Sequence, residues 1–344
     1  MIYGAYGYTG KLLVQEALNS NMTPIVAGRD AKKIHDLSQS SGLEPRAFKL
    51  ENAATFLEDV ELVVNCAGPF SKTFGTMVQA CIFTGTHYLD ITGEVYVFEQ
   101  AKLLDKQAKD AKIIICPGAG FDVVTTDCLA LKLKQEMPEA IELELGFDGL
   151  RTPSAGTAKT VVENISKGSL IRESEKIKTI PPGSDTKTIN FGNGERLAMA
   201  IPWGDISTAY TTTSIPNIKV YTPTSKAQLK ILKQMNKISK FLEKDLIQEL
   251  LFKLVEWKVK GPDESKREKE TSFVWGMVRD AEGNELSGRI RTSNGYTIAA
   301  IAPVHMVQKL LSSSNIEYGY TTPAQLMGPE FIRNIEGSSD WEIF

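Results

Sequence analysis

The chain contains few residues of the kinds that mark several large classes of protein. Only 4 cysteines occur among 344 residues, and none of them form a C-x-x-C pair. In a chain of this size, such sparse cysteines indicate reduced thiols rather than a disulfide framework. The longest apolar runs, 113–116 and 298–304, fall far short of the roughly 20 residues that cross a bilayer. We therefore expect neither a disulfide-stapled domain nor a membrane-spanning helix.

Neither sign of charge dominates. Lys and Arg total 39 and Asp and Glu total 42, which leaves a net charge of −3, so nucleic acid is not an expected partner. The first residues show no basic and apolar segments of a secretory signal, and we expect a cytoplasmic protein. Only three residues precede the first glycine, and a truncated or misassigned start would explain so short a beginning.

Sequence motifs for several other chemistries are missing as well. The three histidines, His35, His87 and His305, are far apart and no H-E-x-x-H occurs, so we expect no metal site. The absence of G-x-x-x-x-G-K-[ST] argues against an NTPase. No Tyr-x-x-x-Lys pair follows a Rossmann-type strand, which argues against the mechanism of short-chain dehydrogenases.

The length suggests two domains at roughly 150 residues each. Across the first 120 or so residues, short apolar runs alternate with helical patterns, which predicts βαβ units and an α/β, Rossmann-type doubly wound parallel sheet. The predicted strands are 2–3, 24–27, 46–50, 62–66, 86–89 and 112–116, and the predicted helices are 10–20, 31–39, 52–58, 73–84 and 94–109. Beyond them, strand-like runs at 142–147 and 218–221, a hairpin of 272–279 with 285–291, and a last helix near 296–311 predict an α+β domain.

The segment 225–260 has an amphipathic helical pattern. Six lysines between 226 and 244 fall on one side, and leucine, isoleucine and methionine fall opposite. The ordinary interpretation is a helix that packs on a sheet and exposes its lysines. The alternative is a helix that lies on a membrane surface or on a partner protein.

A glycine-rich turn opens the chain. Gly4-Ala5-Tyr6-Gly7-Tyr8-Thr9-Gly10 follows a predicted strand and begins a predicted helix, which is the context that a dinucleotide site requires. Gly4 would permit the tight turn, Gly7 the approach of the pyrophosphate and Gly10 the close packing of helix on strand. The helix N-terminus, at Tyr8 and Thr9, would offer its N–H groups to the phosphates. The alternative is a purely structural turn.

The residue after the second strand predicts which dinucleotide binds. Arg29 stands about 20 residues beyond the glycine turn, where an acidic residue would otherwise bind the ribose 2′-hydroxyl. A guanidinium there suits a 2′-phosphate, so NADP(H) is favoured over NAD(H). Asp30 is compatible with this prediction if it caps the following helix. After the fourth strand, small residues would let the cofactor lie against the backbone, and we expect it to contact Asn65, Cys66, Ala67, Gly68 and Pro69.

These segments resemble the saccharopine dehydrogenase-like oxidoreductases, in particular a branch that includes trans-acting enoyl reductases. The segments that carry the resemblance are 3–10, 27–30, 65–70 and 85–94, with further matches at Gly120-Phe121-Asp122, 156–157, 202–205 and 295–297. The resemblance implies an NADP-binding Rossmann domain of residues 1–122 and 294–344. A second, α+β domain for substrate binding or dimerisation, residues 123–293, would interrupt it. The branch often reads G-F-D-S-x-P-S-D where this chain has Gly120-Phe121-Asp122-Val123-Val124-Thr125-Thr126-Asp127.

The proton donor for hydride transfer is not evident from the sequence. Weak candidates are Asp122, Lys159 and His87, the last near the carboxyl edge of the sheet, while Asp90 is expected to order its own turn. The main hypothesis is an NADP(H)-dependent oxidoreductase that acts on a small-molecule or acyl substrate in the interdomain cleft. The alternatives are a non-catalytic dinucleotide-binding regulator, and a reductase attached peripherally to a membrane through 225–260. Apolar helices of the second domain are compatible with a homodimer.

Overall fold

The computed structural model describes residues 1–149, 154, 168–237, 261–313 and 315–344. The chain divides into two units: the first contains Met1–Val124 and Tyr296–Met327, and the second contains Thr125–Gly295 and Gly328–Phe344. The return of the chain to the first unit near residue 296 is therefore close to the position proposed from the sequence. Residues 328–344 differ from the proposal, because they lie in the second unit.

A parallel sheet organises the first unit. Its described strands form the order β15-β6-β5-β4-β1-β2-β3, and all neighbours run parallel. The first six strands thus have the 3-2-1-4-5-6 order of the Rossmann fold, which confirms the predicted fold class. The strands are β1 (Ile2–Tyr3), β2 (Val26–Gly28), β3 (Pro45–Ala47), β4 (Leu62–Asn65), β5 (His87–Asp90), β6 (Ile114–Cys116) and β15 (Gly319–Tyr320).

Helices follow the strands, as the alternating pattern predicts. They are α1 (Tyr8–Asn19), α2 (Ala31–Ser41), α3 (Ala53–Leu57), α4 (Phe70–Thr84), α5 (Val95–Leu103), α6 (Asp105–Asp110), α11 (Gly295–Ser312) and α12 (Pro323–Met327). The predicted helix 94–109 is divided into α5 and α6, because Leu104 has φ −91° and ψ 1°. The predicted strand 46–50 is also shorter, since a 3₁₀ turn occupies Leu50–Asn52.

Burial explains why the inner strands of this sheet are mostly apolar. Every residue of β2, β4 and β6 is buried, which is the pattern of parallel strands covered on both faces. Side chains of α4, including Phe74 and Met77, join Tyr88 and Ile115 in one core cluster. A sheet packed in this way holds the carboxyl ends of its strands in fixed positions.

The strand order reverses beside β1. The chain runs from β1 outward to β2 and β3, and then returns to place β4 on the other side of β1. Tyr3 at the end of β1 pairs with Asn65 at the end of β4. In open α/β sheets, ligands bind beyond the carboxyl ends of the strands at such a reversal.

The second unit contains a mixed sheet of the order β10-β11-β12-β7-β13-β14-β16, with β8 paired to β12 and β9. Its described strands are β7 (Glu142–Asp148), β8 (Ser169–Glu173), β9 (Lys176–Ile180), β10 (Thr186–Asn190), β11 (Glu195–Ala200), β12 (Asn217–Pro223), β13 (Thr271–Arg279), β14 (Glu285–Ser293) and β16 (Glu342–Ile343). The predicted hairpin is confirmed as β13 and β14. Because β16 pairs with β14, the end of the chain belongs to this unit.

The remaining described helices are α7 (Phe121–Glu136), which begins at the end of the first unit's first stretch, α8 (Asp205–Thr213), α9 (Lys226–Lys237) and α10 (Glu264–Lys269). Of the predicted helix 225–260, only α9 falls within the described residues. There Leu229 packs at Gly183, while Lys226 and Lys230 are exposed, as expected of a helix packed on its own domain. No helix in the described residues is long and apolar enough to cross a membrane.

Candidate dinucleotide-binding site

The glycine turn packs too closely for side chains at two of its positions. Gly4 has φ +82°, and a Cβ placed on it would lie 2.8 Å from the backbone nitrogen of Ala67. A Cβ on Gly10 would lie 2.4 Å from the carbonyl oxygen of Gly4. These contacts bring the turn after β1 against the loop after β4, as the Rossmann interpretation of the motif requires.

No side chain of the described residues caps the N-terminus of α1. Its N-cap residue is Gly7, and its first turn contains no acidic residue. The backbone N–H groups of the first helical turn point out of the helix without intrahelical acceptors. Together with the helix dipole they form an anion site, of the kind that binds the phosphates of dinucleotides. Tyr8 and Thr9 are the first two helical residues, as predicted.

Two other helices that begin at the same edge of the sheet are closed by carboxylates. Asp30 accepts a hydrogen bond from the backbone N–H of Lys33 at 3.1 Å and caps α2. Glu94 accepts from the N–H groups of Phe70 at 2.9 Å and Ser71 at 2.8 Å at the start of α4. Among α1, α2 and α4, the helix without such a cap is therefore the one that begins in the glycine turn.

Arg29 stands at the carboxyl end of β2 and is exposed. Within the described part of the chain, no carboxylate lies within ion-pair distance of its guanidinium. Asp30 caps α2, as predicted, and the hydrogen bond that it accepts from the backbone N–H of Lys33 lowers the pKa of its carboxyl. The Lys33 ammonium lies 5.4 Å from the ring centroid of Tyr6. This end of the site is consequently basic.

Hydrogen bonds with Asn65 and Thr73 hold the loop after β4 in place. Asn65 is fully buried; its Oδ1 accepts from the N–H of Ala67 at 3.0 Å, and its Nδ2 lies 3.3 Å from both Thr73 Oγ1 and Tyr88 Oη. Thr73 Oγ1 also donates to the carbonyl of Ala67 at 2.7 Å. The side chain of Asn65 therefore supports the loop that is predicted to contact the cofactor.

The other predicted residues of this loop lie at its surface. Cys66, Ala67 and Pro69 are half-buried and Gly68 is exposed. Burial, with a smaller contribution from Asp90, raises the pKa of the Cys66 thiol to about 12. The thiol is therefore protonated at neutral pH and is not an activated nucleophile.

His87 was predicted near the carboxyl edge of the sheet, and the structure places it at the opposite edge. It is the first residue of β5 and pairs with Leu62, the first residue of β4. Its Nδ1 accepts from the backbone N–H of Ile114 at 2.9 Å, and burial lowers the pKa of its imidazole. Three residues of strand, about 10 Å, separate it from Asp90 at the ligand-binding edge. His87 is therefore a structural residue and no longer a candidate acid.

Asp122 lies at the carboxyl edge, in the first turn of α7. Its Oδ2 would lie 3.2 Å from a Cβ on Gly93, in the loop after β5. Burial raises the pKa of this carboxyl to about 7, a value suited to proton transfer near neutral pH. The third predicted candidate, Lys159, falls outside the described residues.

The role of Glu94 yields a prediction about stability. Glu94→Gln leaves only one oxygen for the two N–H groups that start α4, so we expect the unfolding free energy to fall by about 1–3 kcal/mol. Urea unfolding followed by circular dichroism measures this loss. Glu58→Gln, the same change at an exposed position, is the matched control and should leave the midpoint unchanged. Equal midpoints for the two variants would contradict the capping role.

Comparison with known proteins identifies the first unit. Residues 1–116 match the family model described as the saccharopine dehydrogenase NADP binding domain. Residues 1–116 therefore form a domain similar to the saccharopine dehydrogenase NADP-binding domain. The resemblance to saccharopine dehydrogenase-like oxidoreductases that its motifs indicate is thereby confirmed, and the description of the family supports a nicotinamide dinucleotide as the cofactor.

The relatives of this chain have several descriptions. A lipid droplet localized protein of Caenorhabditis elegans is 27% identical over 48% of this chain and 44% of the relative. A probable mitochondrial saccharopine dehydrogenase-like oxidoreductase of Arabidopsis thaliana is 28% identical over 50% of this chain and 44% of the relative. A trans-acting enoyl reductase of Mycobacterium tuberculosis is 26% identical over 53% and 48%, respectively. The chain spans about half the length, or less, of these curated relatives.

A solved structure supports the fold across the whole chain. Apo saccharopine dehydrogenase (L-Glu forming) from Saccharomyces cerevisiae aligns with a TM-score of 0.68 and 13% identity, over 100% of this chain and 99% of that one. At this identity the likeness concerns architecture alone. It agrees with a Rossmann-like parallel sheet accompanied by a second domain with a mixed sheet.

Proposed function

We propose that this chain is an NADP(H)-dependent oxidoreductase that transfers hydride to or from a small-molecule or acyl substrate. The observation that carries the proposal is the uncapped N-terminus of α1, beside two glycines whose Cβ atoms the packing would not admit. A dinucleotide pyrophosphate placed there would accept hydrogen bonds from the first N–H groups of α1. It would take the role that Asp30 has at the start of α2 and Glu94 at the start of α4. Bound NADPH would supply the hydride.

Arg29 supports the choice of NADP(H). Discrimination between the two dinucleotides depends on the group that meets the adenosine ribose, and a carboxylate there would repel a 2′-phosphate. The only carboxylate next to Arg29 in sequence, Asp30, has its Oδ1 in the cap of α2. The Arg29 fork is thus the group best placed to meet the 2′-phosphate.

The names of the relatives bear on the substrate. One group is named for enoyl reduction and another for a lipid droplet location, and both fit an acyl substrate with a conjugated double bond. Reduction of such a bond needs a proton as well as a hydride. We propose that Asp122 holds that proton at its carboxyl, because it is the described candidate acid that lies at the ligand-binding edge.

The experiment is NADPH oxidation, followed by the absorbance of the reduced nicotinamide, with a panel of enoyl thioesters, ketones and imines. We expect turnover with at least one enoyl thioester, with a rate that falls above about pH 7 as Asp122 ionises. Asp122→Asn should lower the rate at least tenfold and leave NADPH affinity unchanged. Tight NADPH binding without oxidation by any substrate would instead favour a non-catalytic dinucleotide-binding regulator.

A further inference from the structure

A buried carboxylate joins three loops at the ligand-binding edge. Asp90, the last residue of β5, is fully buried. Its Oδ1 accepts from the N–H groups of Thr92 and Gly118, both at 2.9 Å, and its Oδ2 accepts from the hydroxyl of Tyr88 at 2.7 Å. The expectation that Asp90 orders its own turn is confirmed by the bond from Thr92. Its contacts also extend to the loops after β6 and, through Tyr88, after β4.

The direction of these hydrogen bonds fixes the orientation of Asn65. A tyrosine hydroxyl has one proton to donate, and that proton goes to Asp90. The hydroxyl oxygen of Tyr88 must then accept from its other neighbour, so it meets the Nδ2 of Asn65 at 3.3 Å. With Nδ2 so placed, Oδ1 faces the N–H of Ala67 at 3.0 Å. An ionised Asp90 therefore favours, together with Thr73, the amide orientation that holds Ala67.

Ala67 is where this chain of hydrogen bonds reaches the dinucleotide site. Its nitrogen would lie 2.8 Å from a Cβ on Gly4, and the preceding residue, Cys66, donates its N–H to the carbonyl of Tyr3 at 2.7 Å. A displacement of the loop at Ala67 would thus shift its contact with the glycine turn. In a Rossmann sheet the loop after the fourth strand lies toward the nicotinamide half, whereas Arg29 lies toward the adenosine half.

We propose that Tyr88 and Asp90 are positioning residues that set the loop after β4 for the nicotinamide half of the dinucleotide, and that the ionised form of Asp90 is the binding-competent one. This inference rests on the proposed function. Neither side chain touches the cofactor in this account, because both are fully buried. They act through Asn65 and Ala67.

The surroundings of Asp90 bring its ionisation into the neutral pH range. Burial, with a smaller effect of the Glu94 charge, raises the pKa of Asp90 to about 7. The titratable groups that face it are Tyr88 on its own strand, Cys66 after β4 and Glu94 before α5, and burial raises the pKa of the first two. Below about pH 7, a protonated Asp90 carboxyl can donate to the Tyr88 hydroxyl instead of accepting from it. Tyr88 then no longer has to accept from Asn65, and one of the hydrogen bonds that orient the Asn65 amide is weakened.

The test compares two probes, NADPH and adenosine 2′,5′-bisphosphate, by calorimetric titration. The second probe carries the 2′-phosphate but lacks the nicotinamide half. Tyr88→Phe should weaken NADPH binding about tenfold and change the affinity for the bisphosphate less than about twofold. Tyr318→Phe is the matched control, because Tyr318 stacks on His87 at the opposite edge, and it should change neither affinity. Asp90→Asn should bind NADPH weakly at every pH.

The pH profile supplies a readout that a merely structural role would not move. Wild-type affinity for NADPH should fall as pH falls from about 8 to about 6, and the profile of Asp90→Asn should lack that part of the fall. The 2′-phosphate titrates equally in both proteins, so the difference isolates Asp90. Equal loss of both probes in Tyr88→Phe, or identical pH profiles, would overturn the positioning role while the site stands. A wild-type protein that binds neither probe would overturn the proposed function as well.

Discussion

Replacing Gly7 by aspartate is expected to abolish NADPH binding while the fold remains intact. The backbone of Gly7, at φ −68° and ψ 169°, already has the conformation that an Asp N-cap adopts. A Cβ there would have its nearest neighbour at 3.1 Å, the carbonyl oxygen of Gly4, so the turn needs to yield only by a few tenths of an ångström. The new carboxylate would accept the first-turn N–H groups and repel the pyrophosphate. We expect NADPH affinity to fall more than about 100-fold.

The same variant should keep or slightly raise its stability, because Asp is a better N-cap than Gly by a few tenths of a kcal/mol. Thermal unfolding and calorimetric titration of the same preparation measure both effects. Gly75→Asp is the matched control: Gly75 is an exposed residue of α4, and a Cβ there would meet nothing within 4 Å. It should bind NADPH as the wild type does. If Gly7→Asp also retained NADPH, the phosphates would have to bind elsewhere.

Arg29→Asp is expected to reverse the choice between the two dinucleotides. The substitution replaces the guanidinium with a carboxylate that repels a 2′-phosphate and can accept from a 2′-hydroxyl. We expect NADPH affinity to fall about 100-fold, with NADH affinity unchanged or higher. Parallel titrations with the two reduced cofactors measure the change. Since Arg29 is exposed, the fold should not be affected.

The control for Arg29 changes the net charge equally at a distance. Lys106 is an exposed residue of α6, which packs beside β6 and β15. β6 lies four strands from β2, or about 19 Å at the usual strand spacing. Lys106→Asp should therefore leave the ratio of NADPH to NADH affinity unchanged. A similar loss of NADPH in both variants would show that net charge, rather than the Arg29 fork, determines the preference.

Much of the first unit could be predicted because its signals are local in sequence. The buried strands are short apolar runs, the glycine turn has fixed spacing, and Asp30 precedes the helix that it caps. Each of these features depends on residues close together in the chain. The predicted Rossmann sheet is confirmed for this reason, with errors at the ends of elements such as 46–50, at the break at Leu104, and in the strand Gly319–Tyr320, which was not predicted.

The features that sequence could not show depend on residues distant in the chain. Glu94 caps a helix that begins 24 residues earlier, and no local pattern distinguishes it from an exposed glutamate. Asn65 is predicted to contact the cofactor as part of the loop after β4, and the partners that hold its side chain, Tyr88 and Thr73, only become visible in three dimensions. His87 is a different case: the predicted strand 86–89 already has it near the start, so its assignment to the carboxyl edge was wrong even on the predicted strand.

The measurement that tests the central claim most directly is a calorimetric titration of the purified wild-type protein with NADPH and NADH in parallel. The account predicts that NADPH fills one site per chain, with a dissociation constant at least about tenfold below that of NADH. Equal affinities would contradict the role given to Arg29. Absence of binding by either cofactor would contradict the account as a whole and leave the glycine turn as a structural element.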